Sequence, residues 1–161
     1  MIFPGIIDKL RSPLLWILTF SLCLIPVHPV KADSHPGNRI EIYAYGPGIV
    51  QIIDLYGRRS GRDLAAGNIL EEIPFSKVEK EGTKDRIPGW TVHIRDPAEG
   101  VYRIKLLAEG PGAFAIDVDT VDSVGNLNNH HLFRRVKTGD TLELLLTYSS
   151  DGDAESTLLE E

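Results

Sequence analysis

The strongest concentration of oxygen-bearing side chains in the sequence lies between residues 117 and 126. Asp117 and Asp119 alternate with apolar residues, and Asp122 and Asn126 follow in a stretch rich in turn residues. Calcium binds roughly six to eight oxygen atoms, so these four side chains could form a calcium site that stabilises the fold. Their spacing does not reproduce the helix-flanked calcium loop. Aspartate and asparagine are also ordinary turn residues, so a surface strand followed by a turn is the favoured interpretation.

Three arginines, Arg58, Arg59 and Arg62, lie close together around one predicted turn. Guanidinium groups bind carboxylate, sulfate and phosphate groups bidentately, so this turn is a candidate contact point for another macromolecule. We expect it to act together with residues 76–89, whose charge, glycines and proline predict a long, mobile surface loop. Charge balance within an acidic protein is the alternative explanation of the arginines.

Two tyrosines form a second candidate surface. Tyr43 and Tyr45 are out of phase with Ile40 and Ile42 in a stretch of period-two alternation. Successive side chains of a strand point to opposite faces, so isoleucines in the core place both tyrosines on the outside. Exposed aromatic rings could stack against sugar rings, with the arginines nearby supplying hydrogen bonds. The tyrosines therefore support a carbohydrate-binding module as an alternative function.

No pattern in the sequence indicates catalysis. There is no Gly-x-Ser-x-Gly nucleophile motif, and no pair of carboxylates stands out as an acid and base couple. His130 and His131 are adjacent and point to opposite faces of a strand, which does not suit a shared metal ion. We predict a protein that is not an enzyme and has no cofactor other than the candidate calcium.

The N-terminal segment predicts export. Residues 1–32 combine a short basic opening, an apolar run from Leu14 to Val27 and a small residue, Ala32, at a cleavage position. This is the pattern of a cleaved signal peptide, and a retained membrane anchor is the alternative. We expect a periplasmic or extracellular location and no membrane attachment after cleavage.

Removal of this segment changes the chemistry of the chain. Residues 1–32 hold the single cysteine, Cys23, together with three basic residues and one acidic residue. The remaining 129 residues therefore carry a formal charge of −8, compared with −6 for the whole chain. Such an acidic chain is a poor match for nucleic acid or for electrostatic attachment to anionic lipid, so neither is an expected partner.

The elements that must position these side chains are strands. About seven segments with β-branched and aromatic residues alternate with polar ones and are separated by Gly, Pro, Asn and Asp, which predicts an all-β antiparallel sandwich. The predicted organisation is a signal peptide (1–32), a linker (33–38), a β-sandwich domain (39–149) and a flexible acidic tail (150–161).

Several turn motifs resemble those of a known class of module. The motifs are Asp-Leu-Tyr-Gly-Arg-Arg-Ser-Gly at 54–61, Glu-Ile-Pro at 72–74, Pro-Ala-Glu-Gly-Val-Tyr at 97–102, Gly-Pro-Gly-Ala-Phe at 110–114 and Asp-Ser-Val-Gly-Asn at 122–126. They are similar to turns of secreted bacterial Ig-like β-sandwich modules of the pre-peptidase C-terminal type. The resemblance covers roughly residues 40–148. It implies binding, spacing or solubilising roles and supplies no catalytic residue.

Together these observations predict an exported, non-catalytic, Ig-like β-sandwich that acts by contact with an envelope or extracellular protein. Arg58, Arg59, Arg62 and residues 76–89 would form the contacting end. Carbohydrate binding through Tyr43 and Tyr45, with a polysaccharide as partner, is the first alternative. A calcium-stabilised structural spacer is the second.

Overall fold

The computed structural model describes residues 37–82, 88–152 and 154–161. The predicted signal peptide and residues 33–36 of the predicted linker lie outside the described residues. Throughout the described ranges the chain is built from strands and contains no helix. Accordingly, none of these residues belongs to a helix with the length and apolar character needed to cross a membrane.

Eleven strands form in the described part of the chain. They are β1 (Arg39–Tyr45), β2 (Gly48–Ile53), β3 (Arg59–Arg62), β4 (Ile69–Glu71), β5 (Ser76–Glu81), β6 (Gly89–Arg95), β7 (Gly100–Ala108), β8 (Gly112–Val121), β9 (Leu127–Val136), β10 (Thr141–Tyr148) and β11 (Thr157–Glu160).

The strands pair in antiparallel fashion and form two sheets. The five-stranded sheet has the order β5-β6-β1-β8-β9, and the six-stranded sheet has the order β11-β10-β7-β2-β3-β4. The chain passes from one sheet to the other five times, at the β1–β2, β4–β5, β6–β7, β7–β8 and β9–β10 connections. The two sheets are therefore interleaved along the chain.

An apolar core joins the two sheets. In β1 the buried residues Ile40, Ile42 and Ala44 alternate with partly exposed ones, as expected when one face of a sheet is covered. Full burial of an aliphatic or aromatic side chain contributes roughly 1.5–3 kcal/mol. The predicted β-sandwich is thus confirmed, with eleven strands in the described residues instead of about seven. The fully buried side chains that dominate its centre are Tyr102, Tyr148, Ile40, Ile42, Ile52, Ile94, Ile104, Ile116, Leu144, Leu146, Val50 and Val92.

Residues 76–81 form an edge strand and not the predicted mobile loop. β5 pairs with β6, and Val78, opposite Val92, is the one buried residue of β5. Charged residues surround Val78 in the sequence and produce the appearance of a loop. Charged side chains on an edge strand discourage pairing with other molecules, which explains their abundance here. Residues 83–87 of the predicted loop lie outside the described residues.

The C-terminal residues also differ from the prediction of a flexible tail. Thr157–Glu160 form β11, which pairs with β10 and places Leu159 opposite Leu145. Leu158 packs against the core, and Ser156 is only 2% exposed. The acidic composition of these residues does not predict a strand. β11 forms because it pairs with the edge of β10 in the folded sheet.

Candidate functional site

The outer face of the five-stranded sheet carries the two tyrosines that the sequence singled out. Tyr43 lies between Thr91 of β6 and Asp117 of β8 in the sheet register. Tyr45, two residues further along β1, lies between Gly89 and Ala115. Both rings are partly exposed, and the side chains directly beside Tyr45 are too small to cover it.

A third aromatic residue extends this row. Phe133 of β9 pairs with Ala115 and is 56% exposed. Tyr45, Ala115 and Phe133 thus follow one another across three adjacent strands. Strands in a sheet are ~4.8 Å apart, so the backbones of Tyr45 and Phe133 are separated by roughly 10 Å, with Ala115 between them. We call Tyr43, Tyr45 and Phe133 the aromatic row.

Carboxylates surround the tyrosines. Glu41, Asp117 and Asp119 share the outer face with them, since Glu41 pairs with Asp119 and Tyr43 pairs with Asp117. The Tyr43 hydroxyl donates a hydrogen bond to Glu41 Oε2 over 3.2 Å. His93 Nδ1 lies 3.3 Å from Glu41 Oε1. The face therefore presents hydrogen-bond acceptors directly beside aromatic rings.

Two further contacts hold the carboxylates of β8 in place. His131 of β9 is hydrogen-bonded to Asp117, and the Asn129 amide donates to Asp119. His93 also packs edge-on against the Tyr43 ring, with 6.1 Å between the ring centroids. Side-chain contacts therefore join β6 to β1 and β8 to β9 on the outer face.

The tyrosines remain protonated at neutral pH. Burial raises the pKa of Tyr43 to about 12, and the charge of Glu41 and the hydrogen bond to it act in the same direction. Burial also raises the pKa of Tyr45, with a further contribution from the charges of Glu81 and Asp117. Both hydroxyl groups can therefore act as hydrogen-bond donors, and neither becomes a phenolate under ordinary conditions.

Arg58 and Arg59 are engaged in ion pairs within the six-stranded sheet. Arg58 Nη2 lies 2.6 Å from Asp54 Oδ2, and Arg59 Nη2 lies 2.9 Å from Glu72 Oε1. The hydrogen bonds from Arg59 lower the pKa of Glu72, mainly through its side chain and then through its backbone N–H. These guanidinium groups stabilise the turn and the edge of their own sheet.

Arg62, the third arginine, lies at the other end of β3. Its Nη1 is 3.1 Å from Glu109 Oε1, and its Nε donates to the Gly67 carbonyl over 2.8 Å. The guanidinium also stacks over Trp90, with 5.5 Å from its carbon to the ring centroid. The structure thus places Arg62 at the opposite end of β3 from Arg58 and Arg59, and all three lie in or beside the six-stranded sheet, whereas the tyrosines lie on the five-stranded sheet.

The four residues of the candidate calcium site are not brought together. Asp117 and Asp119 point outward from β8, whereas Asp122 is 5% exposed and follows the end of that strand. Asp122 Oδ1 accepts hydrogen bonds from the backbone N–H groups of Val124 and Asn126. Within the described ranges no three His, Cys, Asp or Glu residues gather in a way that could hold a metal ion.

Asp122 instead closes the turn between β8 and β9. Burial alone would raise the pKa of its carboxyl group, but hydrogen bonds from the backbone and side chain of Asn126 and from the backbone of Val124 and Gly125 outweigh this effect, so the pKa is lowered. Its role in the described structure is that of a turn former.

Sequence reasoning missed Phe133 and the carboxylate Glu41. The period-two pattern assigns both to the outer face, but the register between strands that brings them to the tyrosines cannot be read from a single strand. Comparison with protein-family models, curated proteins and solved structures finds no match for this chain.

Proposed function

We propose that the protein is an exported, non-catalytic binding module, related to Ig-like sandwiches, that binds a neutral carbohydrate with the outer face of its five-stranded sheet. The observation that carries the proposal is the aromatic row lying open beside Glu41, Asp117 and Asp119. This arrangement favours the carbohydrate alternative over the arginine-based contact.

The chemistry of the face matches a sugar. The C–H groups of a pyranose ring are apolar and pack against an aromatic ring, while its hydroxyl groups donate to acceptors at the ring edge. Ionised carboxylates accept such hydrogen bonds strongly. They also repel uronate and sulfate groups, so the expected ligand is neutral. A face that spans several adjacent strands suits a section of a long glycan better than a single small sugar.

Affinity electrophoresis in gels containing soluble neutral polysaccharides tests this proposal. A glucan, a xylan or a mannan should retard the 161-residue protein, and acidic alginate should not. Tyr45→Ala should weaken binding about tenfold, since aromatic stacking contributes ~0.5–1.5 kcal/mol beyond buried area. Tyr56→Ala is the matched control, because Tyr56 is 67% exposed in the β2–β3 turn of the other sheet. Equal loss in both variants, or no retardation in any gel, would contradict the proposal.

Contact with an envelope or extracellular protein remains a second proposal, supported by the apolar end of the sandwich. The β2–β3, β4–β5 and β6–β7 connections lie at this end and expose Leu55, Tyr56 and Phe75 by 45%, 67% and 66% respectively. Phe75 has a φ of 56°, a left-handed conformation that is strained for an aromatic residue. Strained residues cluster at functional sites, so the conformation of Phe75 supports this end as a contact site.

The Phe75→Gly variant distinguishes a role of Phe75 in partner binding from a role in the stability of the fold. Glycine adopts a positive φ without strain, so this variant should be at least as stable as the wild type in urea. If Phe75 contacts a partner protein, it should nevertheless recover less of that protein from an envelope extract. Recovery equal to that of the wild type would exclude Phe75 from the contact.

A further inference from the structure

In the described residues, β9 is a long sheet edge that pairs with a neighbour on one side only. The other edge strands are short or protected: β4 and β11 have three and four residues, and four of the six residues of β5 are charged. The Val78 N–H of β5 also donates to Glu71 Oε1 over 2.8 Å. β9 has ten residues without glycine or proline and pairs residue for residue with β8 alone. Such an edge is a template for another strand.

The turn between β8 and β9 shows which backbone groups of β9 point away from β8. The Asp122 N–H donates to the Asn126 carbonyl over 3.2 Å, so these two residues form a hydrogen-bonded pair that continues the β8–β9 register. Hydrogen-bonded and non-hydrogen-bonded pairs alternate along an antiparallel ladder, so the even-numbered residues of β9 bond to β8. The N–H and C=O groups of the odd-numbered residues point outward, and no other backbone group in the described ranges bonds to them. These residues are Leu127, Asn129, His131, Phe133 and Arg135.

A second copy of β9 matches this edge. When two β9 strands lie antiparallel about a twofold axis with His131 opposite its counterpart, all five outward-pointing residues of one copy pair with the five of the other. Asn129 then lies opposite Phe133, and Leu127 lies opposite Arg135. The second copy supplies a strand of equal length with free backbone groups at the same spacing, which a strand of unrelated sequence need not do.

The charges of β9 are compatible with this register. The strand carries two arginines and no acidic residue. Arg135 lies opposite Leu127 of the second copy and Arg134 lies opposite Asn128, so no arginine of one copy faces an arginine of the other. Each His131 at the axis keeps its hydrogen bond to a carboxylate of its own β8. Like charges directly opposite one another would destabilise the pairing, and this register avoids them for the arginines.

We propose that the protein forms a twofold dimer in which the β9 strands of two copies pair antiparallel. The pairing joins the two five-stranded sheets into one ten-stranded sheet and places both aromatic rows on the same side of it. One pair of strands buries less area than a standard interface of about 1,600 Å², so we expect a weak dimer with a micromolar Kd. The dimer does not depend on the proposed carbohydrate binding, because backbone groups make the contact and no sugar takes part.

Sedimentation velocity over a wide range of protein concentrations, without sugar, tests the dimer. His131→Pro removes the central outward N–H of each copy and should raise the dimer Kd about tenfold or more. An edge strand tolerates proline where the N–H points away from the sheet, so this variant should fold. His131→Ala loses the same side chain but keeps the N–H, and it should dimerise like the wild type. In urea, His131→Pro should be more stable than His130→Pro, which removes an N–H that bonds to β8.

Charge changes at Leu127 test the register itself and decide the question even if His131→Pro does not fold. Leu127 is 60% exposed, so a charged residue there leaves the fold intact. Leu127→Glu should tighten the dimer several-fold although it makes the protein more acidic, because the new carboxylate lies opposite Arg135 of the second copy. Leu127→Arg should weaken it. A monomer at every concentration, equal association of the proline and alanine variants at His131, or the same effect of both Leu127 variants would overturn the proposal.

Discussion

The side chain of Asp122 secures the turn between β8 and β9. Its Oδ1 accepts the N–H groups of Val124 over 2.9 Å and of Asn126 over 2.8 Å, which organises the reversal between β8 and β9. A carboxylate in this position mimics a backbone turn, and it does so best when ionised. These hydrogen bonds stabilise the ionised carboxylate, and the pKa of Asp122 is therefore lowered although burial acts in the opposite direction.

The pH dependence of stability should reveal this turn. Since the pKa of Asp122 is lower in the folded protein than its ordinary value of 3.8, the carboxylate stabilises the fold above that pH. Its contribution is lost as the pH falls through the folded-state pKa. Asp122→Asn should therefore lower the urea midpoint at about pH 6, and the difference from wild type should shrink towards about pH 2.5.

Glu155→Gln is the control for this experiment, because Glu155 is exposed and the same charge is removed. Its difference from wild type should stay small across the range. A deficit of Asp122→Asn that is constant with pH would show that the ionised carboxylate does not stabilise the turn.

For single residues, the sequence predicts which face of a strand a side chain points to better than it predicts which side chain it contacts. The outward position of Tyr43 and Tyr45 follows from a two-residue period that holds in any strand. The ion pairs of Arg58 and Arg59 could not be predicted, because Asp54 and Glu72 are only two of many carboxylates in an acidic chain. The sequence therefore predicts a contact surface at the arginines, whereas Arg58 and Arg59 form ion pairs within the protein.

At the scale of elements, Gly61 determines how closely β3 approaches β2. It has a φ of 112°, and a Cβ atom there would lie 2.4 Å from the Val50 carbonyl oxygen. That distance is far inside a normal contact, and the opposing atom belongs to the backbone and cannot rotate away. Only glycine fits this position of the β2–β3 hairpin.

Gly61→Ala should consequently destabilise the fold by about 2–4 kcal/mol, from backbone strain and the clash together. Gly57→Ala is a matched control, since Gly57 has a φ of 79° and nothing lies within 4 Å of the added methyl group. It should cost only about 1 kcal/mol. Equal losses in urea denaturation would show that the close approach of the two strands does not limit stability.

The strands that sequence reasoning missed are short or lie at edges. β3 and β4 have four and three residues, and β11 has four. Such segments bury few side chains, so their alternation is too brief to recognise. β5 is longer, but its pairing with β6 depends on residues eight to eighteen positions away. Long central strands such as β7 and β8 have both the length and the apolar alternation that make prediction reliable.

At the scale of the whole molecule, the sandwich separates two surfaces with different chemistry. The outer face of the five-stranded sheet carries the aromatic row beside carboxylates, and a cavity between the two sheets near β9 and β10 is lined by both apolar and charged residues. The sandwich architecture could be predicted because alternation and turn residues recur along the chain. The binding face could not be predicted completely, because it depends on the order in which β1, β8 and β9 lie side by side.

The most direct test of the proposed function is a nuclear magnetic resonance titration of the labelled protein with neutral gluco-, xylo- and manno-oligosaccharides. At least one of them should shift the backbone amide signals of Tyr43, Tyr45, Ala115 and Phe133 and leave those of Tyr56 and Phe75 unchanged. Shifts confined to the Tyr56 and Phe75 end, or no shift with any neutral oligosaccharide, would contradict it.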